Sequence, residues 1–195
     1  MNAVLLLSGG MDSTALAYWQ RPAHVLTVDY GQAAALAERR AATKVASELR
    51  LDHHFLTVDL TSLGLGRMAG LRPNSDAPTP EWWPFRNQLL ITLAAAKAAV
   101  LGAGAVMVGT LATDGLHADG RPEFLETMRA LLGQQERQIK LLAPASKLDA
   151  VQLMHRSGVP SELLAWTHSC HVADYACGVC RGCNKHMETL QALKT

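Results

Sequence analysis

Ser8-Gly9-Gly10-Met11-Asp12-Ser13 puts two glycines, two hydroxyls and a carboxylate directly after a short apolar run. Glycine tolerates positive φ and close approach, so successive N–H groups in such a loop can turn inward around an anion. A helix starting near Asp12 aims its positive end at the same point, and the serine hydroxyls add donors. A phosphate or pyrophosphate is the ligand this chemistry fits. The motif is neither the Gly-Lys-Ser/Thr phosphate loop nor the Gly-x-Gly-x-x-Gly dinucleotide fingerprint, and two glycines after a strand are by themselves often only a tight turn. The second concentration of chemistry is Cys170-x6-Cys177-x2-Cys180-x2-Cys183, which holds all four cysteines of the chain. Four thiolates close a tetrahedral sphere, so the spacing predicts a structural Zn²⁺ site, with Gly178 and Gly182 relaxing the turns between ligands. The Cys-x2-Cys-x2-Cys part also suits an iron–sulfur cluster. His168, His171 and His186 flank the cysteines and could replace a sulfur, although a solvated surface histidine is the commoner role.

These groups must be positioned by a folded core. The chain has 195 residues, 49% of them hydrophobic and 18% charged, and a formal net charge of +1. That composition excludes disorder, and the balanced charge argues against a protein whose main work is neutralising nucleic-acid phosphates. No apolar stretch reaches membrane-spanning length; residues 89–108 come nearest and contain Lys97. The start lacks the basic region of a signal peptide, and cysteines confined to one short segment do not form a secreted disulfide framework. A cytoplasmic protein without a membrane partner is expected. Apolar runs at 3–7, 24–28, 54–58, 105–108 and 139–142 alternate with helical patterns at 12–17, 33–49, 87–101, 121–132 and 147–156. This alternation predicts an α/β fold around a parallel sheet of about five strands. The stretch 61–84 is expected to be irregular, with Trp82-Trp83 plugging the core rather than stacking on a purine. The alternation stops near Val159-Pro160, which divides the chain into a nucleotide-binding domain, 1–160, and a helical zinc module, 161–195.

The hexapeptide resembles the S-G-G-x-D-S signature of the PP-loop ATP pyrophosphatases, which cut ATP between the α and β phosphates and transfer AMP. Together with the C-terminal cysteines, the chain resembles the 7-cyano-7-deazaguanine synthase (QueC) family along nearly its whole length. Asp29-Tyr30-Gly31-Gln32, Arg86-Asn87, Asp114, Asp119-Gly120-Arg121-Pro122-Glu123-Phe124, Ala143-Pro144, Lys147, Gly158-Val159-Pro160 and Trp166-Thr167-His168-Ser169-Cys170 carry the likeness in order. The resemblance implies a Rossmann-like, adenine nucleotide alpha hydrolase-like sheet. It implies ATP bound by Leu7, Ser8, Gly9, Gly10, Met11, Asp12, Ser13 and Thr14, with Asp12 helping to hold Mg²⁺. Asp12, Ser13 and Lys147 would be catalytic, and Lys147 and Arg86 would meet the α-phosphate or a substrate carboxylate. Tyr30, Gln32, Arg86, Asn87, Asp114, Asp119 and Arg121 would bind substrate, the aspartates taking the 2-amino and ring N–H edge of a deazaguanine. The implied reaction is adenylation of 7-carboxy-7-deazaguanine, capture by ammonia, and ATP-driven dehydration to the nitrile, in a homodimer. The chain departs from the family in Ala33-Ala34-Ala35, where a basic residue or histidine is usual, and in His117-Ala118-Asp119-Gly120, where Tyr-Pro-Asp-Cys is common. Related anti-phage proteins attach a deazaguanine to a protein amine, which makes a protein acceptor the first alternative; a PP-loop tRNA-thiolating enzyme is the second.

Overall fold

The apolar run at the start of the chain becomes the centre of the sheet. In the computed structural model, which describes residues 1–194, β1 (Ala3–Leu6) pairs with β2 (His24–Asp29) on one side and β4 (Ala105–Met107) on the other. β3 (Asp52–Thr57) and β5 (Lys140–Leu142) complete a five-stranded parallel sheet of order β3-β2-β1-β4-β5. Consecutive residues of a strand point to opposite faces. Thus Val4, Leu26 and Val106 pack on α3 (Arg86–Leu101) and α4 (Pro122–Gly133), while Leu5, Val25 and Met107 pack on α1 (Met11–Gln20) and α2 (Ala35–Leu49). All six side chains are fully buried, each contributing roughly 1.5–3 kcal/mol of transfer free energy.

The remaining helices are α5 (Ala150–Ser157), α6 (Ser161–Leu164) and α7 (Arg181–Ala192). α5 begins three residues later than its apolar pattern suggests, because Asp149 accepts the Gln152 N–H at 2.8 Å and the Gln152 side chain accepts the Asp149 N–H at 3.0 Å. This reciprocal cap sets the helix start. α1 and α5 share a core with Leu164 of α6, and Leu190 and Leu193 at the end of α7 pack against it. The cysteine-bearing end of the chain thereby docks beside the phosphate-loop helix. Residues 61–84 form only two short 3₁₀ turns, as expected. Both tryptophans there line a cavity: Trp83 is buried edge-on against Tyr30, with ring centroids 4.9 Å apart, and Trp82 is half-buried. No helix among the described residues is long and apolar enough to cross a membrane.

Candidate active site

The chain winds outward from β1 to β2 to β3, then returns to place β4 on the other side of β1. In open α/β sheets such a reversal leaves a crevice at the carboxyl ends of the strands, where ligands bind. A cavity of about 340 Å³ occupies that place, lined by Leu6 and Leu7 after β1 and by Val108, Gly109 and Thr110 after β4. The glycine loop forms one wall. Gly9 has φ +78°, and a Cβ on it would lie 2.7 Å from the Ala42 N and 2.8 Å from the Glu38 carbonyl of α2. Only glycine permits that approach. The Ser8 and Ser13 hydroxyls lie 3.2 Å apart, and Ser13 donates to the Gly10 carbonyl at 3.1 Å. Of the residues expected at ATP, Leu7, Ser8, Gly10, Met11, Asp12 and Ser13 line the cavity. Gly9 and Thr14 do not line it, and the buried Thr14 hydroxyl has no hydrogen bond among the described residues.

Asp12 opens α1, half-buried. Its partner is Lys185 of α7, whose Nζ lies 2.8 Å from Asp12 Oδ2 and 3.7 Å from Asp114 Oδ1. Burial pushes the Asp12 carboxyl above the usual carboxylate range, and the Lys185 ammonium only partly offsets it. The lysine beside Asp12 is therefore Lys185; Lys147 is exposed and does not line the cavity. A second cation, Arg86, lines the same cavity; its guanidinium donates to Asn87 Oδ1 and to Met68 Sδ and forms no ion pair among the described residues. Arg181 is there as well. These three cations, together with burial, which is the larger cause, push the His171 imidazole down to about 4 and keep it neutral. The cavity thus sets three cations, Lys185, Arg86 and Arg181, among the carboxylates of Asp12, Glu38, Glu81, Asp114 and Asp119.

The other expected substrate residues divide. Tyr30 lines the cavity and donates to Met68 Sδ, while Gln32 is buried behind it, bonded to the Tyr30 N–H, the Val28 carbonyl and Glu38. Asn87, Asp114 and Asp119 line the cavity, but both aspartates already have structural work. Asp119 accepts the Asn87 N–H at 3.0 Å at the start of α3, and Asp114 accepts the Leu111 N–H at 2.9 Å. Arg121 is exposed, bonded to the Gly115 carbonyl and outside the cavity. The flanking histidines are not the solvated surface groups expected: His168, His171 and His186 all line the cavity, half-buried, and none joins the cysteine set. The His168 N–H donates to the Gly9 carbonyl at 2.9 Å, tying the cysteine segment to the glycine loop.

Two acidic residues escaped the sequence reading. Glu81 is buried, lines the cavity and makes no hydrogen bond among the described residues, with the unbonded Thr79 hydroxyl and Trp83 Nε1 buried nearby in sequence. Glu38 lines the cavity from α2, accepts Gln32 Nε2 at 2.8 Å, and is pushed up to about 7 by burial. Because folding raises its pKa from 4.5, its contribution to stability is full below about pH 4.5 and is lost as pH rises through about 7. Glu38→Gln is therefore expected to match wild type in thermal midpoint at about pH 4 and to exceed it increasingly toward about pH 8. A midpoint difference independent of pH would contradict the burial.

The four cysteines converge as their spacing predicts. Their sulfurs lie within 4.8 Å of one another, with Cys177 to Cys183 and Cys170 to Cys180 both 3.9 Å. The Cys180 and Cys183 N–H groups each point at a preceding sulfur at 3.4 Å. Gly182, in the first turn of α7, lets the Ser169 segment pack against the helix: a Cβ there would sit 1.9 Å from the Ser169 carbonyl. Backbone N–H groups of Val179 and Cys180 hold the Cys177 thiol down to about 6, while burial pushes Cys180 and Cys183 up. Ionising all four so close together needs a cation among them.

A five-stranded parallel sheet, a Ser-Gly-Gly-x-Asp-Ser loop at its switch point and a four-cysteine cluster packed on that loop define a PP-loop enzyme of the nucleotide-binding α/β class. Residues 2–194 match the family described as queuosine biosynthesis protein QueC. The chain is 33% identical to a 7-cyano-7-deazaguanine synthase of Methanothermobacter thermautotrophicus, over 98% of this chain and 95% of that protein. It is 34% identical to the synthase of Thiobacillus denitrificans, over 95% and 92%. The chain belongs to the QueC family, and it is an enzyme of the ATP-dependent ligase type. Among solved structures, the U34-tRNA thiolase of Methanococcus maripaludis with its [4Fe-4S] cluster superposes with a TM-score of 0.55 at 14% identity, over 98% of this chain and 64% of that one. At that identity the likeness is one of fold.

Proposed function

We propose that the protein adenylates the carboxylate of 7-carboxy-7-deazaguanine and delivers ammonia to it, giving the amide and then, with a second ATP, 7-cyano-7-deazaguanine. The observation that carries this reading is one cavity lined by the glycine loop, by Arg86, which forms no ion pair among the described residues, and by Glu81, whose carboxylate makes no hydrogen bond among them. A carboxylate oxygen attacks the α-phosphorus and pyrophosphate leaves; the nitrogen lone pair then attacks the acyl carbon, AMP departs, and one proton is released. In the second round the amide oxygen is adenylated, AMP departs, and two protons leave the nitrogen. Loop N–H groups and the amino end of α1 hold the departing phosphates, and Arg86 and Arg181 balance charge on the α-phosphate. Glu38, at a pKa of about 7, is suited to accept the released protons.

Asp12 and Asp114 already hold one cation, the Lys185 ammonium, between two oxygen donors. They fit Mg²⁺, which when bound would neutralise charge on the phosphates. Zn²⁺ fits the cysteines: a tetrahedron of 2.3 Å bonds separates its sulfurs by about 3.8 Å, against 3.9 Å for two of the pairs and at most 4.8 Å for the others here. With four thiolates the sphere is closed, so the metal module, residues 161–195, would be structural.

Asp114 and Asp119 each already accept a backbone N–H, whereas Glu81 accepts none among the described residues, and this supports Glu81 as the carboxylate that takes the N–H edge of the deazaguanine. Glu81→Gln is expected to raise KM for the acid by about tenfold to a hundredfold while leaving the KM for ATP unchanged; an equal change in both would remove this assignment. The function itself is tested by incubating the protein with ATP, Mg²⁺ and 7-carboxy-7-deazaguanine, with and without ammonium, and following AMP and products by mass spectrometry. No AMP would overturn the ligase reaction on this acid. AMP without nitrile would favour a protein amine as acceptor, and iron instead of zinc in a metal assay would favour thiolation.

A further inference from the structure

Away from the nucleotide cavity, at the amino ends of the strands, β2 begins with His24 and β3 with Asp52. The two strands are parallel and in register, with His24 opposite Asp52 and Leu26 opposite His54. Residues at i and i+2 of a strand share a face, so Asp52 and His54 project together beside His24. His24 Nδ1 lies 2.7 Å from Asp52 Oδ2, His54 Nε2 lies 2.9 Å from the same oxygen, and the two nitrogens are 3.4 Å apart. None of these residues lines the nucleotide cavity, and none has a part in the reaction proposed above.

We propose that His24, Asp52 and His54 form a second, surface metal site that takes Zn²⁺ or a similar imidazole-seeking divalent ion. Two imidazoles and one carboxylate are a donor set that suits Zn²⁺, Ni²⁺ and Cu²⁺ and discriminates against Mg²⁺ and Ca²⁺. Bonds of about 2.0–2.1 Å in a tetrahedron place donors about 3.3 Å apart. The nitrogen pair already has this separation, and the two contacts to Asp52 need to open by only about half an ångström, which side-chain rotation provides. The backbone requires no change, because six paired positions lock β2 to β3. Asp52 is exposed, with 56% of its side chain accessible, while both histidines are at 21%. The imidazoles are thus held by their surroundings and the remaining coordination position faces solvent. Bound there, the ion joins the edge strand β3 to β2 through side chains as well as through the ladder.

The test uses the intact protein with its cysteine site filled. Equilibrium dialysis against Zn²⁺, with total metal counted per chain, is expected to show one more ion in wild type than in His54→Ala or Asp52→Asn. Each variant should weaken uptake of that extra ion by more than about tenfold, with the cysteine-bound ion retained. At a free Zn²⁺ concentration one hundred times the Kd, the wild-type thermal midpoint should rise by roughly 5–10 °C and that of the variants should not. His24→Ala provides a third variant, and a melt without added metal verifies that each is folded. A wild type saturated by the cysteine-bound ion alone, or an extra ion that survives in all three variants, would overturn the proposal. Loss of ligase activity in an unrelated assay would not bear on it, since this site does not rest on the proposed reaction.

Discussion

Asp12→Asn is expected to lower substrate-dependent AMP release by about 10²–10³-fold while raising thermal stability above the pH at which the folded carboxyl ionises. The catalytic half of this expectation follows from position: Asp12 begins the helix whose amino end faces the cavity, and removing a preorganised charge at a phosphoryl-transfer site costs two to three decades. The stability half follows from linkage. Burial raises the Asp12 pKa in the folded state despite Lys185. Its stabilising contribution is therefore full below the ordinary value of 3.8 and is lost as pH rises through the folded value. Above the folded value the ionised carboxylate is a net cost to folding, and asparagine relieves it. Function retained at the expense of stability is the mark of a working site. Initial-rate measurement of AMP and a melt of the same preparation check both halves. Unchanged AMP release would remove Asp12 from the site, and a lowered midpoint would show that the Lys185 contact outweighs burial. Lys185→Met removes that contact from the other side and is expected to reduce AMP release as well, because it leaves two cavity carboxylates facing each other without a cation.

Cys183→Ser is expected to release the metal and lower the thermal midpoint by roughly 6–12 °C, the equivalent of about 3 kcal/mol in a chain of this size. Activity should fall with it, for a reason visible in the packing. Cys180 caps α7 by accepting the Cys183 N–H, and α7 carries Lys185 to Asp12. The same segment delivers His168 to the Gly9 carbonyl and Arg181 to the cavity. Loosening the cysteines therefore loosens three contacts on the nucleotide side. Metal content, thermal midpoint and AMP release measured together test the coupling. Full metal content with a normal midpoint would show that Cys183 is not a ligand, and lost activity at an unchanged midpoint would mean that the metal takes part in the chemistry.

Much of the site was legible because its chemistry is local. The glycine loop spans six consecutive residues, and three of the four cysteines recur at three-residue intervals, so neighbours in the chain are neighbours in space. The centre of the sheet was legible for a similar reason: β1, β2 and β4, buried on both faces, read as uninterrupted apolar runs. The histidines beside the cysteines read along the chain as solvated groups, since a half-buried pocket wall and a solvated surface have the same local sequence. Glu38 and Glu81 gave no signal, because an isolated glutamate is ordinarily a surface charge and only the packing around it says otherwise.

By itself the sequence determined the fold class, the anion-binding loop and the convergence of four thiols, since all three follow from short-range periodicity and residue type. The tertiary structure alone decided which lysine meets Asp12. Lys147 lies just before a helix whose start is set by Asp149, and it faces solvent, whereas Lys185, 173 residues from Asp12, is brought to it by the packing of α7 against α1 and α5. Contacts across such separations depend on which helix faces cover which strands, and that is settled by burial of the whole apolar surface together, not by any local pattern.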